Sequence, residues 1–182
     1  MWSVHWELKP EDFLTFAEVR RLRNSLSREA LQCRNCNRIR IIEYMIIEVG
    51  LQTGLRVSEL SELQCGDIVL NGTMSFVKVR NGKGGIPGIV RIGKELIECL
   101  KWFFEWKKSV SESMNGDSPV FVSSHTGKEL KKRAIQNLFK RCCQRGVRGQ
   151  ALNFEFCTAG FARSLRARRP RPYSQSSNLS IF

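Results

Sequence analysis

Residues 51–63 read LQTGLRVSELSEL. Upstream, Ile42, Met45, Ile46 and Val49 keep the i, i+3, i+4, i+7 spacing of a core helix, which the glycines at 50 and 54 bring to a stop. Val57, Leu60 and Leu63 then resume helical spacing over a short segment. Between the two runs stands one charged residue, Arg56, flanked by Leu55 and Val57. Its apolar neighbours predict a packed stem, and a packed guanidinium needs a partner. Glu59, three residues on, can supply one. The planar guanidinium fork also matches the two oxygens of a phosphate better than an ammonium does.

The pattern changes after Asp67 and the turn residues of Leu70-Asn71-Gly72. TMSFVKVRNGKGGIPGIVRIG, residues 73–93, alternates apolar and polar on both sides of a glycine-rich centre. Met74, Phe76 and Val77 or Val79 are expected in one strand, and Ile89, Val90 and Ile92 in its partner. Asn81-Gly82 is a hairpin signal, and it places Lys83 at the tip between glycines that permit close approach to a sugar-phosphate chain.

Helices account for most of the remainder. FLTFAEVRRLRNSL, from residue 13, carries a capping-box pattern at Thr15 and Glu18, a staple between Phe13 and Val19, and one apolar face at Val19, Leu22 and Leu26. REALQCRNCNR, from residue 28, reads as a polar break. Leu96, Leu100, Phe103 and Phe104 mark a later helix, VFVSS at 120–124 a short strand, and Ile135, Leu138, Phe139 and Cys142 a last helix. The expected class is α+β, mostly helical with a small antiparallel hairpin sheet. A lead at 1–11, a core at 12–150 and a basic tail at 151–182 are the expected divisions.

With 182 residues the chain has room for one domain with a real core. Its formal net charge of +13 points to a polyanion, with nucleic acid ahead of an anionic membrane surface. No apolar run approaches the ~18 residues of a membrane span. Seven cysteines at irregular spacing suit a reducing, cytoplasmic setting rather than a disulfide framework. Cys33-x-x-Cys36 is half of a zinc site with no second half, so no metal is expected. His125 and His5 read as solvated, Tyr44 as a core-helix residue, and Trp102 and Trp106 as core. Lys128, Lys131, Lys132, Arg133, Lys140, Arg141, Arg145 and Arg148 share their stretch with one acid, Glu129. Such an uncompensated surface fits contact with a phosphate backbone.

TGLRVSEL, an acidic turn at Asp67 and a hairpin carrying NGKGG together resemble the catalytic domain of the tyrosine recombinases, the phage-integrase family. FLTFAEVRRLRNSL and PVFVSSHTGKELKKRAIQNLFKRCCQRG resemble that domain's opening and its later strand, turn and helix, so the resemblance runs from about residue 12 to about residue 148. It implies metal-free, cofactor-free chemistry on double-stranded DNA. A tyrosine hydroxyl attacks a phosphodiester, giving a 3′-phosphotyrosyl bond and a free 5′-hydroxyl, while protein cations stabilise the pentacoordinate phosphorane. On this pattern Arg56 matches the first catalytic arginine and Lys83 the hairpin lysine, the general acid for the 5′-oxygen. Glu59 matches the acidic residue that supports the site.

The resemblance weakens beyond 150. The family shows His-x-x-Arg and a second His or Trp before its tyrosine, whereas residues 152–165 read LNFEFCTAGFARSL. Laying Phe161, Ala162 and Leu165 on the pattern puts Glu155, Thr158 and Ala159 at the catalytic positions, and none of them can replace an arginine or histidine there. Tyr173, between Pro172 and Ser174, reads as a tail residue. Two explanations fit: a reading frame lost after about residue 150, or a diverged member without catalysis. The family's separate N-terminal helical domain is not matched either, so a complete clamp on DNA is not expected from this chain alone. The expected function is therefore DNA binding in recombination or integration, with the nucleophile unassigned. The alternatives are a non-catalytic remnant that competes with or partners an intact recombinase, and a basic RNA-binding protein; an intact recombinase or a second copy on DNA is the expected protein partner.

Overall fold

The computed structural model describes residues 14–31, 37–82 and 85–147. Phe13, Cys33, Cys36, Lys83, Arg148, Tyr173, His5, the 1–11 lead and the 151–182 tail lie outside the described residues, as do Glu155, Thr158 and Ala159.

Helix α1 spans Phe16–Leu31. The Glu18 carboxylate accepts from the Thr15 N–H at 2.8 Å and from its hydroxyl at 2.7 Å, and Glu18 N–H returns a bond to Thr15 Oγ1 at 3.3 Å. This reciprocal cap satisfies donors that the first turn leaves open. Val19, Leu22, Leu26 and Ala30 form its buried face. The helix therefore continues through the Arg28–Leu31 segment expected to be a break, because Ala30 extends the Leu26 face by one turn and no breaker interrupts it.

Helix α2, Arg38–Thr53, is buried nearly all round and packs against α1 and the later helices. Asn37 caps its start by accepting from Ile39 N–H at 3.1 Å. Gly50 stays inside the helix, and Gly54 ends it in the left-handed conformation at φ 70°, its N–H bonded to Gly50 O at 2.9 Å. Helix α3, Val57–Ser61, follows at once.

Three antiparallel strands come next: β1 (Ile68–Val69), β2 (Phe76–Val79) and β3 (Gly88–Arg91), in that spatial order. Ile68 pairs with Val77, and Val77 with Val90. Only the base of the hairpin reaches the core, through Ser75, Val77 and Ile92. Met74 sits in a short 3₁₀ turn and is exposed, not in the strand, and Ile92 lies one residue past β3. The first strand was not anticipated, since two residues leave no alternation to detect.

Helix α4 (Lys94–Ser109) buries Leu96, Leu100, Phe103 and Trp106, with Phe103 and Trp106 stacked at 5.6 Å and Phe104 half-buried. The VFVSS segment makes an isolated bridge, Val122 to Glu129, and Pro119 just before it makes another to Gln64, so it is no strand. Val120, Phe121 and Val122 are apolar because they pack, not because they join a ladder. Helix α5 (Lys132–Gly146) buries Ile135, Leu138, Phe139, Cys142 and Cys143.

Two carboxylates lie inside this core on α2. Glu48 takes the Arg23 guanidinium from α1, with Gln52 Nε2 at 2.6 Å. Glu43 takes Arg40 at 2.9 Å and Arg145 of α5 at 2.5 Å. Buried charges persist only when paired in this way.

Candidate nucleic-acid interface

The Gly54 turn decides where Arg56 points. Thr53 Oγ1 donates to Val49 O at 2.6 Å and accepts from Leu55 N–H at 3.3 Å, which fixes the exit from α2. Leu55 and Val57 are then both buried, so the residue between them must face outward. Arg56 does so as the N-cap of α3, with its side chain 48% exposed. The expected packed stem is thus not what the fold supplies: the flanking residues pack, and the arginine projects.

An arginine is a poor N-cap, because a guanidinium has donors and no acceptor. Glu59 compensates. One carboxylate oxygen accepts the Arg56 N–H at 2.7 Å, and the other accepts Arg56 Nη1 at 3.0 Å. The same group therefore closes the helix start and orients the guanidinium. Among the described residues Arg56 directs one of its five side-chain N–H groups to Glu59. The remaining fork can take up an anion's oxygens. A local rule broken at one exposed residue, with a dedicated support, is the pattern of a functional position.

Glu59 also lines a shallow cleft between α3 and β2, together with Glu62, Asp67, Lys78 and Arg80. Asp67, read from sequence as a turn residue, is buried and accepts Arg80 Nε at 3.0 Å and Gln64 N–H at 2.9 Å. Lys78 and Arg91 are exposed on the sheet. Neither these two cations nor the Arg80 pair was singled out from the sequence; the alternation of β2 was the one available signal for Lys78. Lys83 follows Arg80 by three positions and lies outside the described residues.

The basic stretch separates into two kinds of residue. Lys128, Lys131, Lys132, Arg133, Lys140 and Arg141 are exposed. Lys131 is the N-cap of α5, and Lys132 and Arg133 open its first turn, with Lys131 also paired to Glu129. Positive side chains at the positive end of a helix dipole are each unfavourable by about 0.3–1 kcal/mol, and an anion docked there reverses the sign. Arg145 behaves differently. It turns inward to Glu43, with Glu29 at 3.7 Å, and its side chain is a third exposed. Burial opposes its charge and the Glu43 carboxylate restores it, leaving its pKa raised. Arg148 lies outside the described residues. His125 is exposed in the turn before α5, Tyr44 bonds Cys99 at 3.3 Å, and Trp102 meets the Tyr44 ring edge-on.

Among the described residues no three His, Cys, Asp or Glu side chains gather as a metal-binding group, and no helix is long and apolar enough to cross a membrane.

The model of the phage integrase family matches residues 12–159. A tyrosine recombinase XerD of Staphylococcus saprophyticus is 35% identical over 96 residues, covering 53% of this chain and 31% of that protein. A tyrosine recombinase XerC of Proteus mirabilis is 35% identical over 95 residues, covering 52% and 29%. The matched stretch thus spans about a third of the length of these curated relatives. Among solved structures, XerA recombinase superposes with a TM-score of 0.67 at 23% identity, over 87% of this chain and 52% of that one. XerH bound to its difH substrate before cleavage gives 0.66 at 18% identity, over 93% and 46%. At these identities the structures establish a common fold.

Proposed function

The chain belongs to the phage integrase family, and from that premise we propose that it binds double-stranded DNA for site-specific recombination or integration. The observation that carries the reading is Arg56, exposed at the head of α3 and held there by Glu59 at 3.0 Å. In this reading Arg56 clamps a non-bridging oxygen of one phosphate, and Glu59 keeps the fork aimed between binding events. Lys83 donates a proton to the departing 5′-oxygen. Lys128, Lys131, Lys132, Arg133, Lys140 and Arg141 lie along the flanking backbone, where they position the duplex without reading its sequence. Self-association on DNA belongs to the same proposal. Solved structures that share the fold include a lambda integrase dimer bound to a core site and a lambda integrase tetramer bound to a Holliday junction.

A second reading is favoured by a specific observation. Glu155, Thr158 and Ala159 stand where the family pattern has histidine and arginine, so the phosphorane would lack half of its cationic cage. The chain then acts as a non-catalytic DNA-binding protein that competes with or partners an intact recombinase.

Titration of a duplex by fluorescence anisotropy over a salt series tests the common part. Six backbone cations predict a log–log salt slope of about −5, and Arg56→Ala weakens binding. Tighter binding to structured RNA at matched salt, untouched by Arg56→Ala and Lys83→Ala, would sink the proposal. A nicked suicide substrate separates the two readings: a covalent adduct supports catalysis, and its absence at full occupancy supports the second.

A further inference from the structure

The β2–β3 hairpin has little holding it. Distal to Val77 no hairpin residue among those described is buried, and Ile86 and Ile89 are 70% and 66% exposed. The ladder to the rest of the sheet rests on β1, which contributes two residues. The last strand pair is Val79 with Gly88. A ribbon of this kind would swing about its base.

Two side-chain tethers cross from the hairpin to the segment that follows α3. Arg80, the first residue past β2, donates through Nε to Asp67 at 3.0 Å and through Nη2 to Gln64. Asn81 reaches Glu62 at 3.4 Å. Asp67 is itself immobile: it is 4% exposed, its other oxygen holds Gln64 N–H, and its own N–H bonds Gln64 O at 3.0 Å. Gln64 in turn bridges to Pro119. The Arg80 head is thus fixed to a rigid turn five residues downstream of Glu59, on the wall of the cleft that Glu59 lines.

We infer that Arg80 is a positioning residue, whose ion pair with Asp67 sets the angle of the β2–β3 hairpin relative to α3 and so couples the hairpin's contact with DNA to that of Arg56. The inference rests on the proposed DNA-binding role of Lys83. A guanidinium suits this task, since two donors in one plane grip two acceptors and remove the rotation that a single bond would leave.

The test is a double-mutant cycle read by duplex-DNA anisotropy on the full chain, with thermal melting confirming that each variant is folded. Lys83→Ala is expected to weaken binding about threefold to tenfold in the parent chain and less than about twofold in Arg80→Met. Asp67→Asn keeps an acceptor for Gln64 N–H but loses the charge that holds Arg80. Positioning predicts weaker DNA binding, whereas the mere removal of a negative charge beside a polyanion predicts tighter binding. Arg80→Lys is expected to restore part of the lost coupling. Additive effects in the cycle, or tighter binding by Asp67→Asn, overturn the positioning role while leaving the DNA-binding proposal standing. If Lys83→Ala alone changes nothing, the functional reading of Lys83 falls, and the role of Arg80 falls with it.

Discussion

Arg145 and Lys132 are both cations of α5, and on the proposed reading they have opposite duties. Replacing Arg145 with alanine leaves Glu43, 1% exposed, with Arg40 at 2.9 Å as its remaining close partner. Breaking a fully buried pair costs about 3–5 kcal/mol. Arg145 is a third exposed and Arg40 stays, which reduces the expected loss to about 1–3 kcal/mol. At about 2–4 °C per kcal/mol for a domain of this size, Tm falls by roughly 2–12 °C. Arg145 releases no counterion from DNA, so the salt slope of binding, measured below Tm, stays unchanged. Lys132→Ala does the reverse. It lies exposed on the first turn with no buried partner among the described residues, so Tm moves by about 1 °C or less and the salt slope falls by about 0.9. Melting by circular dichroism and anisotropy titrations at four salt concentrations suffice. An Arg145→Ala protein with unchanged Tm and a slope reduced by one would refute the assignment.

Three further outcomes can be checked. Lys107 is fully buried with Glu112 at 2.6 Å and the carbonyls of Val120 and Pro119 at 3.0 and 3.4 Å, and Lys107→Met is expected to cost about 2–4 kcal/mol in urea unfolding because it strands those acceptors. Gly54→Ala, at φ 70°, should destabilise by about 1 kcal/mol and weaken DNA binding as the Arg56 turn is displaced, with Arg56 chemistry otherwise intact. The Glu18 carboxyl is held below its ordinary value chiefly by the Thr15 hydroxyl and then by the Thr15 N–H. A depressed folded pKa gives stability that is present above the usual Glu range and lost as pH falls through the folded value. Thr15→Val should therefore lower Tm more at pH 7 than near pH 2, where only the loss of the Thr15 Oγ1 acceptor for Glu18 N–H remains.

Cysteine chemistry offers a check on the core itself. Burial, with the Glu43 charge nearby, pushes the Cys142 thiol up to about 12. Alkylation at pH 8 should spare it in the folded protein and reach it in denaturant.

Much of this fold is written in short-range pattern. The α2 face, the Thr15–Glu18 cap, the Gly54 stop and the Ile135–Cys142 face are all set within one or two helical turns, where spacing and capping chemistry act without help from the rest of the chain. The TGLR signature likewise marked Arg56 as a candidate, because an arginine between buried neighbours is a local anomaly. What the pattern misjudged was equally physical. Two-residue β1 is too short to carry a period, and VFVSS is apolar for packing rather than for pairing. Charge allocation was beyond reach: eight basic residues look alike in sequence, yet Arg145 meets Glu43 across 102 positions and Arg80 meets Asp67 across 13. Sequence alone thus determined the helices, the hairpin and the presence of a phosphate-clamping candidate, since those depend on neighbours along the chain. Only the tertiary structure decided which cations face solvent and which neutralise the core, because an ion pair depends on where two distant side chains come to lie.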